Sequence, residues 1–171
     1  MVVDAIGVAG GLAIVWHPSK VTLEHFITTP FSISAQFILI DSGMQGVISN
    51  IYRPANPRKK PHFLADQRHW ILGGDFNLIT NLQEKKRGTR KLDAHSLRFN
   101  SIIHNLKLVD VRTHNDLYTW NNKRIGTHAV ASRLDRFLLS KSIVTFGGIY
   151  NASLLPSAGS DHWPISLTWQ G

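Results

Sequence analysis

Apolar residues along most of the chain arrive in short β-branched and aromatic runs bounded by turn residues. This pattern predicts strands at 11–16, 21–28, 32–40, 45–52, 70–74, 117–120, 136–140 and 164–169. Runs such as Leu12-Ala13-Ile14-Val15 and Ile71-Leu72 are apolar nearly throughout, as in strands covered on both faces. His17-Pro18-Ser19 and Asp41-Ser42-Gly43 punctuate the first three runs into a meander. One helix is predicted between about 93 and 106, where Phe99, Ile102, Ile103 and Leu106 fall at i, i+3, i+4 and i+7. Strands in series with few helices between them predict an α+β sandwich rather than an alternating parallel sheet. The segment 55–69 interrupts the pattern: Arg58, Lys59, Lys60 and Arg68 outweigh Phe63 and Leu64, which predicts a basic loop or a single helical turn.

Composition narrows the chemistry. With 171 residues, 43% of them hydrophobic and 18% charged, the chain suits one globular domain. Nineteen Lys and Arg against eleven Asp and Glu give a net charge of +8, which favours a polyanionic partner or serves solubility alone. The absence of cysteine excludes disulfides, zinc-thiolate sites and thiol nucleophiles. The apolar run 5–16 is broken by Gly7, Gly10 and Gly11 and has no basic residue before it, unlike a signal peptide. No stretch approaches the roughly 18 apolar residues of a membrane span. These features predict an intracellular, membrane-free and monomeric protein.

Four short motifs stand at predicted strand ends, and each has a structural reading beside a chemical one. Gly73-Gly74-Asp75-Phe76-Asn77 follows an apolar run, and Asp75 and Asn77 share one side of an extended chain. The pair could hold a phosphate or a water, or form an Asx turn that closes the strand. Ser132-Arg133-Leu134-Asp135-Arg136 sets one carboxylate between two guanidiniums, which on its own reads first as a surface salt-bridge ladder. Ser160-Asp161-His162 precedes an apolar run and could be a capping turn. Tyr52, in Ile51-Tyr52-Arg53-Pro54, could be simple packing.

Taken in order, Tyr-x-Pro, Gly-Asp-x-Asn, Ser-Arg-x-Asp-Arg and Ser-Asp-His resemble the signature of the endonuclease/exonuclease/phosphatase superfamily. Further segments resemble the endonuclease domain of plant LINE-type (non-LTR) retrotransposons. These are Gly10-Gly11-Leu12-Ala13-Ile14-Val15-Trp16, Glu84-Lys85-Lys86-Arg87-Gly88, Tyr118-Thr119-Trp120-Asn121 and the helix running into Leu106-Lys107-Leu108-Val109-Asp110. The resemblance implies a DNase I-like, four-layer α/β/β/α sandwich that hydrolyses DNA phosphodiesters with Mg2+. An intact element of this kind acts in the nucleus and continues into a reverse transcriptase domain.

On matching positions the resemblance assigns Asp75 to preparing the attacking water and Asn77 to holding that water or a phosphate oxygen. His162 would face the scissile phosphate, kept cationic by Asp135, while Tyr52 donates its hydroxyl to the phosphate. Asp161 would be a metal-side carboxylate. Lys85, Lys86, Arg87, Trp120 and Asn122 would contact nucleic acid.

The resemblance has gaps. The superfamily opens with a strand bearing an active-site Asn and a second whose Glu is the principal magnesium ligand, and neither has a counterpart here. Glu24, between Leu23 and His25 in a predicted strand, is expected to face solvent. The fold is therefore expected to be truncated at its N-terminus. With the short segment 55–69 in place of a longer helix, it should also lack one covering helix. Metal affinity and activity should be weak or lost. The alternatives are a catalytically dead nucleic-acid-binding module, a retrotransposon remnant, or a phosphatase of the same superfamily.

Overall fold

The structure is a computed structural model that describes residues 2–3, 12–52, 69–89 and 91–170. Strands β1 (Val2–Val3) and β2 (Leu12–Ala13) pair antiparallel. Then come β3 (Val21–Thr29), β4 (Ser32–Leu39), β5 (Gln45–Tyr52), β6 (Trp70–Asp75) and the two-residue β7 (Lys85–Lys86). Helix α1 (Ala94–Asn105) leads into β8 (Leu108–Val111), and the short β9 (Trp120–Asn121) and β10 (Ala131–Ser132) precede β11 (Asp135–Ser140). A short α2 (Lys141–Phe146) and the antiparallel pair β12 (Ile149–Leu154) and β13 (Ile165–Gln170) follow.

The main sheet has six strands in the order β3-β4-β5-β6-β11-β8, antiparallel except for the β5–β6 pair. Its two faces are read from adjacent residues. Leu72 and Leu138 pack with Phe99 of α1, Phe76, Leu78 and Leu108, whereas their neighbours Ile71 and Leu139 point the other way, toward Ile143, Tyr150, Leu167 and Trp169. Alternation along β6 and β11 thus puts α1 on one face and β12–β13 with α2 on the other, giving the expected mixed α/β sandwich.

The predicted helix forms where its apolar stripe fell, started by Asp93, whose carboxylate accepts the Ser96 amide at 2.7 Å. Glu24 is exposed in β3, which is bulged between Glu24 and Ile27. The strand expected at 117–120 is only Trp120–Asn121, because the Asp116 carboxylate accepts the amides of Leu117 and Tyr118 and so turns 117–118 away from a ladder. Strands β8 and β12 and helix α2 went unpredicted. The segment 55–69, and the missing covering helix expected there, lie outside the described residues but for His69. Among the described residues, no helix is long and apolar enough to cross a membrane.

Candidate active site

Two carboxylates meet where β6 ends and β11 begins. Asp75 is the last residue of β6, Asp135 the first of β11, and the antiparallel register sets them directly opposite each other. The approach to Asp75 needs glycine: Gly74 has φ +127°, and a Cβ there would lie 2.1 Å from the Ile51 carbonyl oxygen. A Cβ on Gly73 would lie 2.6 Å from the Phe137 ring. Asn77, at φ +53°, turns its backbone amide and its side-chain amide onto the two oxygens of Asp75, both at 2.8 Å. The Asx turn and the Asp-Asn pair are therefore one arrangement.

His162 joins this pair. Its Nδ1 lies 2.9 Å from Asp135 Oδ2 and its Nε2 3.9 Å from Asp75 Oδ2, and its ring keeps partial access to solvent. The hydrogen bond to Asp135 raises the His162 pKa despite burial, with the charges of Asp135, Asp75 and Asp161 adding to it. Burial first, and then the facing charge of Asp135, push Asp75 up to about 6, against the lowering hydrogen bonds from Asn77. The site thus pairs an imidazole held toward its cationic form with a carboxylate that titrates close to neutrality. Such perturbed groups converging in one place mark functional sites.

Proton linkage gives this arrangement a measurable consequence. A carboxyl whose pKa is raised on folding favours the folded state below its unfolded value and loses that contribution as pH rises through the folded value. Asp75→Asn should therefore leave stability near pH 4 almost unchanged and raise it above pH 6, by on the order of 1 kcal/mol after allowing for solvent screening. Paired thermal melts at the two pH values check this.

The sequence itself matches the pattern of the Endonuclease/Exonuclease/phosphatase family over residues 5–162. The chain belongs to that family. Its solved relatives share the fold at low identity. A mannosyl-6-phosphatase from Bacteroides thetaiotaomicron has a TM-score of 0.52 at 14% identity, covering 91% of this chain and 69% of that one. A conserved protein of unknown function from Enterococcus faecalis reaches 0.54 at 14% identity, over 95% and 72%. D. rerio TDP2, solved with a single-strand DNA product, gives 0.50 at 15% identity, over 90% and 70%. A comparison with curated proteins gives no match.

The other expected site residues are distributed as follows. Tyr52 ends β5 level with Asp75 in the parallel pairing and packs on the cluster of Leu12, Ile14 and Ile33. Asp161 is exposed and spends Oδ2 on Trp120 Nε1 at 2.9 Å, a hydrogen bond that lowers its pKa. Among the described residues, Asp75, Asp135 and His162 form a group that could hold a metal ion, one ligand atom from each within 4.8 Å of the others, and Asp161 is not part of it. Asn122 serves its own loop: Nδ2 donates to His128 O, and Oδ1 accepts from Val130 and Arg124. Lys86 and Arg87 line an open groove of about 570 Å3 with Lys123, Arg124 and Trp163, whereas Lys85 is half-buried opposite Ser132.

The family's divalent cation can be tested against these donors. The chain contains two glutamates: Glu24 is exposed, and Glu84 is buried on Arg133 and Arg136. Among the described residues, the remaining candidate group is one imidazole and two carboxylates already engaged by His162 and Asn77. Magnesium favours octahedral oxygen ligation and resists dehydration, so this mixed nitrogen-oxygen set would hold it only weakly.

The reading of Arg133-Leu134-Asp135-Arg136 as a surface ladder is corrected by the structure. Arg133 and Arg136 are each 1% exposed and form a closed network with Glu84 and Asp110 across 2.6–3.1 Å, leaving Asp135 to His162.

Proposed function

We propose that this domain hydrolyses phosphodiesters of nucleic acid, as an endonuclease of the kind found in plant LINE-type retrotransposons, with turnover held low by weak metal retention. The observation that carries the reading is the Asp135–His162–Asp75 cluster, and a basic groove is lined by Ser160 and Trp163, which flank Asp161-His162 in the chain. Ionised above pH 6, Asp75 can take a proton from an attacking water, and Asn77 orients that carboxylate. Across the 3.9 Å gap, the His162 imidazolium can stabilise charge growing on a phosphate oxygen, with Asp135 holding its ring.

The groove favours a chain of phosphates over a small phosphate ester. Lys86, Arg87, Lys123 and Arg124 surround it, with Ile125 and Trp163 as apolar surface on which a base can rest. The single-strand DNA product on the TDP2 relative is consistent with this. Binding to DNA should weaken linearly in log affinity against log salt. Replacing Lys86 and Arg124 by Ala should flatten the slope by about 1 for each phosphate no longer neutralised. Fluorescence anisotropy over a salt series measures it, and a slope equal to that of the unsubstituted protein would remove the groove from the reading.

Substrate class is tested by comparing bis(p-nitrophenyl) phosphate with p-nitrophenyl phosphate. Faster release from the diester supports the proposal. Faster release from the monoester would favour a phosphatase, the activity named for the Bacteroides relative.

A further inference from the structure

The Asp135–His162 bond joins two chain segments that share no regular ladder, so something must set their spacing. Thr119 lies between them and is fully buried. Its Oγ1 accepts the backbone amides of Leu134 and Asp135, both at 2.9 Å. Its own amide donates to the Ser132 carbonyl at 3.1 Å, and its carbonyl accepts the Trp163 amide at 2.9 Å. The next two residues continue the clamp: Trp120 bridges His162, and the Asn121 amide donates to the Asp161 carbonyl at 3.0 Å. One residue therefore holds the backbone of Asp135 through its side chain and the backbone beside His162 through its carbonyl.

We infer that Thr119 is the positioning residue that fixes the Asp135–His162 pair, its hydroxyl setting the carboxylate and its carbonyl setting the imidazole. The geometry of the pair follows from it. A threonine hydroxyl has two acceptor lone pairs, and here both are directed at backbone amides, those of the half-buried Leu134 and the buried Asp135. Valine has nearly the same shape and no acceptor, so Thr119→Val unties both amides without opening a cavity. The start of β11 then shifts away from His162, and a misplacement of about 1 Å can cost roughly 100-fold in a positioned reaction. Serine keeps the acceptor and should restore the pair.

The test reads His162 directly, by NMR titration of its ring, and so does not depend on the proposed activity. Thr119→Val should lower the His162 midpoint by about one pH unit toward the free value, as expected when a carboxylate partner is loosened. Thr119→Ser should keep the midpoint of the unsubstituted protein. In an Asp135→Asn background, Thr119→Val should cause no further drop, because the Thr119 hydroxyl acts on the imidazole through Asp135 and the substitution keeps the carbonyl. If the valine variant does not fold, Thr119→Cys replaces it. Its sulfur is a weak acceptor of similar size, and a partial drop is expected.

A midpoint unmoved by Val or Cys, with only a lower melting temperature, would reduce Thr119 to a structural role and overturn the inference. An equal drop in Thr119→Val with and without Asp135 would also overturn it. Where diester turnover is measurable, which rests on the proposed function, kcat should fall about 100-fold with KM little changed. A normal titration shift without any turnover would count against that function and leave the role of Thr119 standing.

Discussion

His162→Ala should lower diester hydrolysis about 10²- to 10⁴-fold, the usual contribution of a positioned acid-base group. The loss should fall on kcat, because His162 meets charge that grows in the transition state, whereas DNA is held by the groove cations. The pH profile of the unsubstituted protein should rise as Asp75 ionises around pH 6 and fall as His162 loses its proton above its ordinary range. Asp135→Asn should pull the falling limb to lower pH, since that carboxylate is the first cause of the raised His162 pKa. Initial rates from pH 5 to 9 resolve both limbs, and a His162→Ala protein with unchanged rates would dissociate the cluster from catalysis.

Glu84→Ala should be the most destabilising single substitution in the frame around the site, at about 3–5 kcal/mol, because it leaves two buried guanidiniums short of an anion. For a domain of this size that is a fall of roughly 6–20 °C in melting temperature. Burial acts to raise the Glu84 pKa, but the hydrogen bonds and charge of Arg136, with the Thr80 amide and Arg133, outweigh it and lower the value to about 2. A depressed carboxylate stabilises the fold above its unfolded pKa, and that contribution is lost as pH falls from about 4.5 toward 2. The Glu84→Ala deficit should therefore be full at pH 7 and shrink in acid. Calorimetry at pH 7 and pH 3 tests this, and a deficit independent of pH would mean lost packing rather than lost charge.

Periodicity was enough to find α1 and the long strands, because Phe99, Ile102, Ile103 and Leu106 and the runs in β3 to β6 each make a local pattern. The short strands were not legible. Lys85–Lys86 and Ala131–Ser132 are strands only because each lies against a distant partner, and nothing in their own composition favours a sheet. Charge misled at Arg133 and Arg136, which resemble solvated residues until Glu84 and Asp110 are brought up from remote positions. Of the site residues, Asp75, Asn77, Asp135 and His162 were marked by motif order, and the fold brings them together. Asp161 and Asn122 were marked by the same resemblance, and their side chains hydrogen-bond Trp120 and the 122–130 loop. Thr119 carried no signal of its role, since an acceptor for two amides is visible only when the chain has closed around it.

We propose that Asp75, Asp135 and His162 form a phosphodiester-cleaving site for nucleic acid that retains metal poorly. Nicking of supercoiled plasmid, followed against divalent-ion concentration for the unsubstituted protein and His162→Ala, tests it most directly. Slow nicking that still rises without saturation at about 10 mM Mg2+ and disappears in His162→Ala is the predicted result. Nicking that is equal in the two proteins, or absent from both at every metal concentration while DNA remains bound, would contradict it.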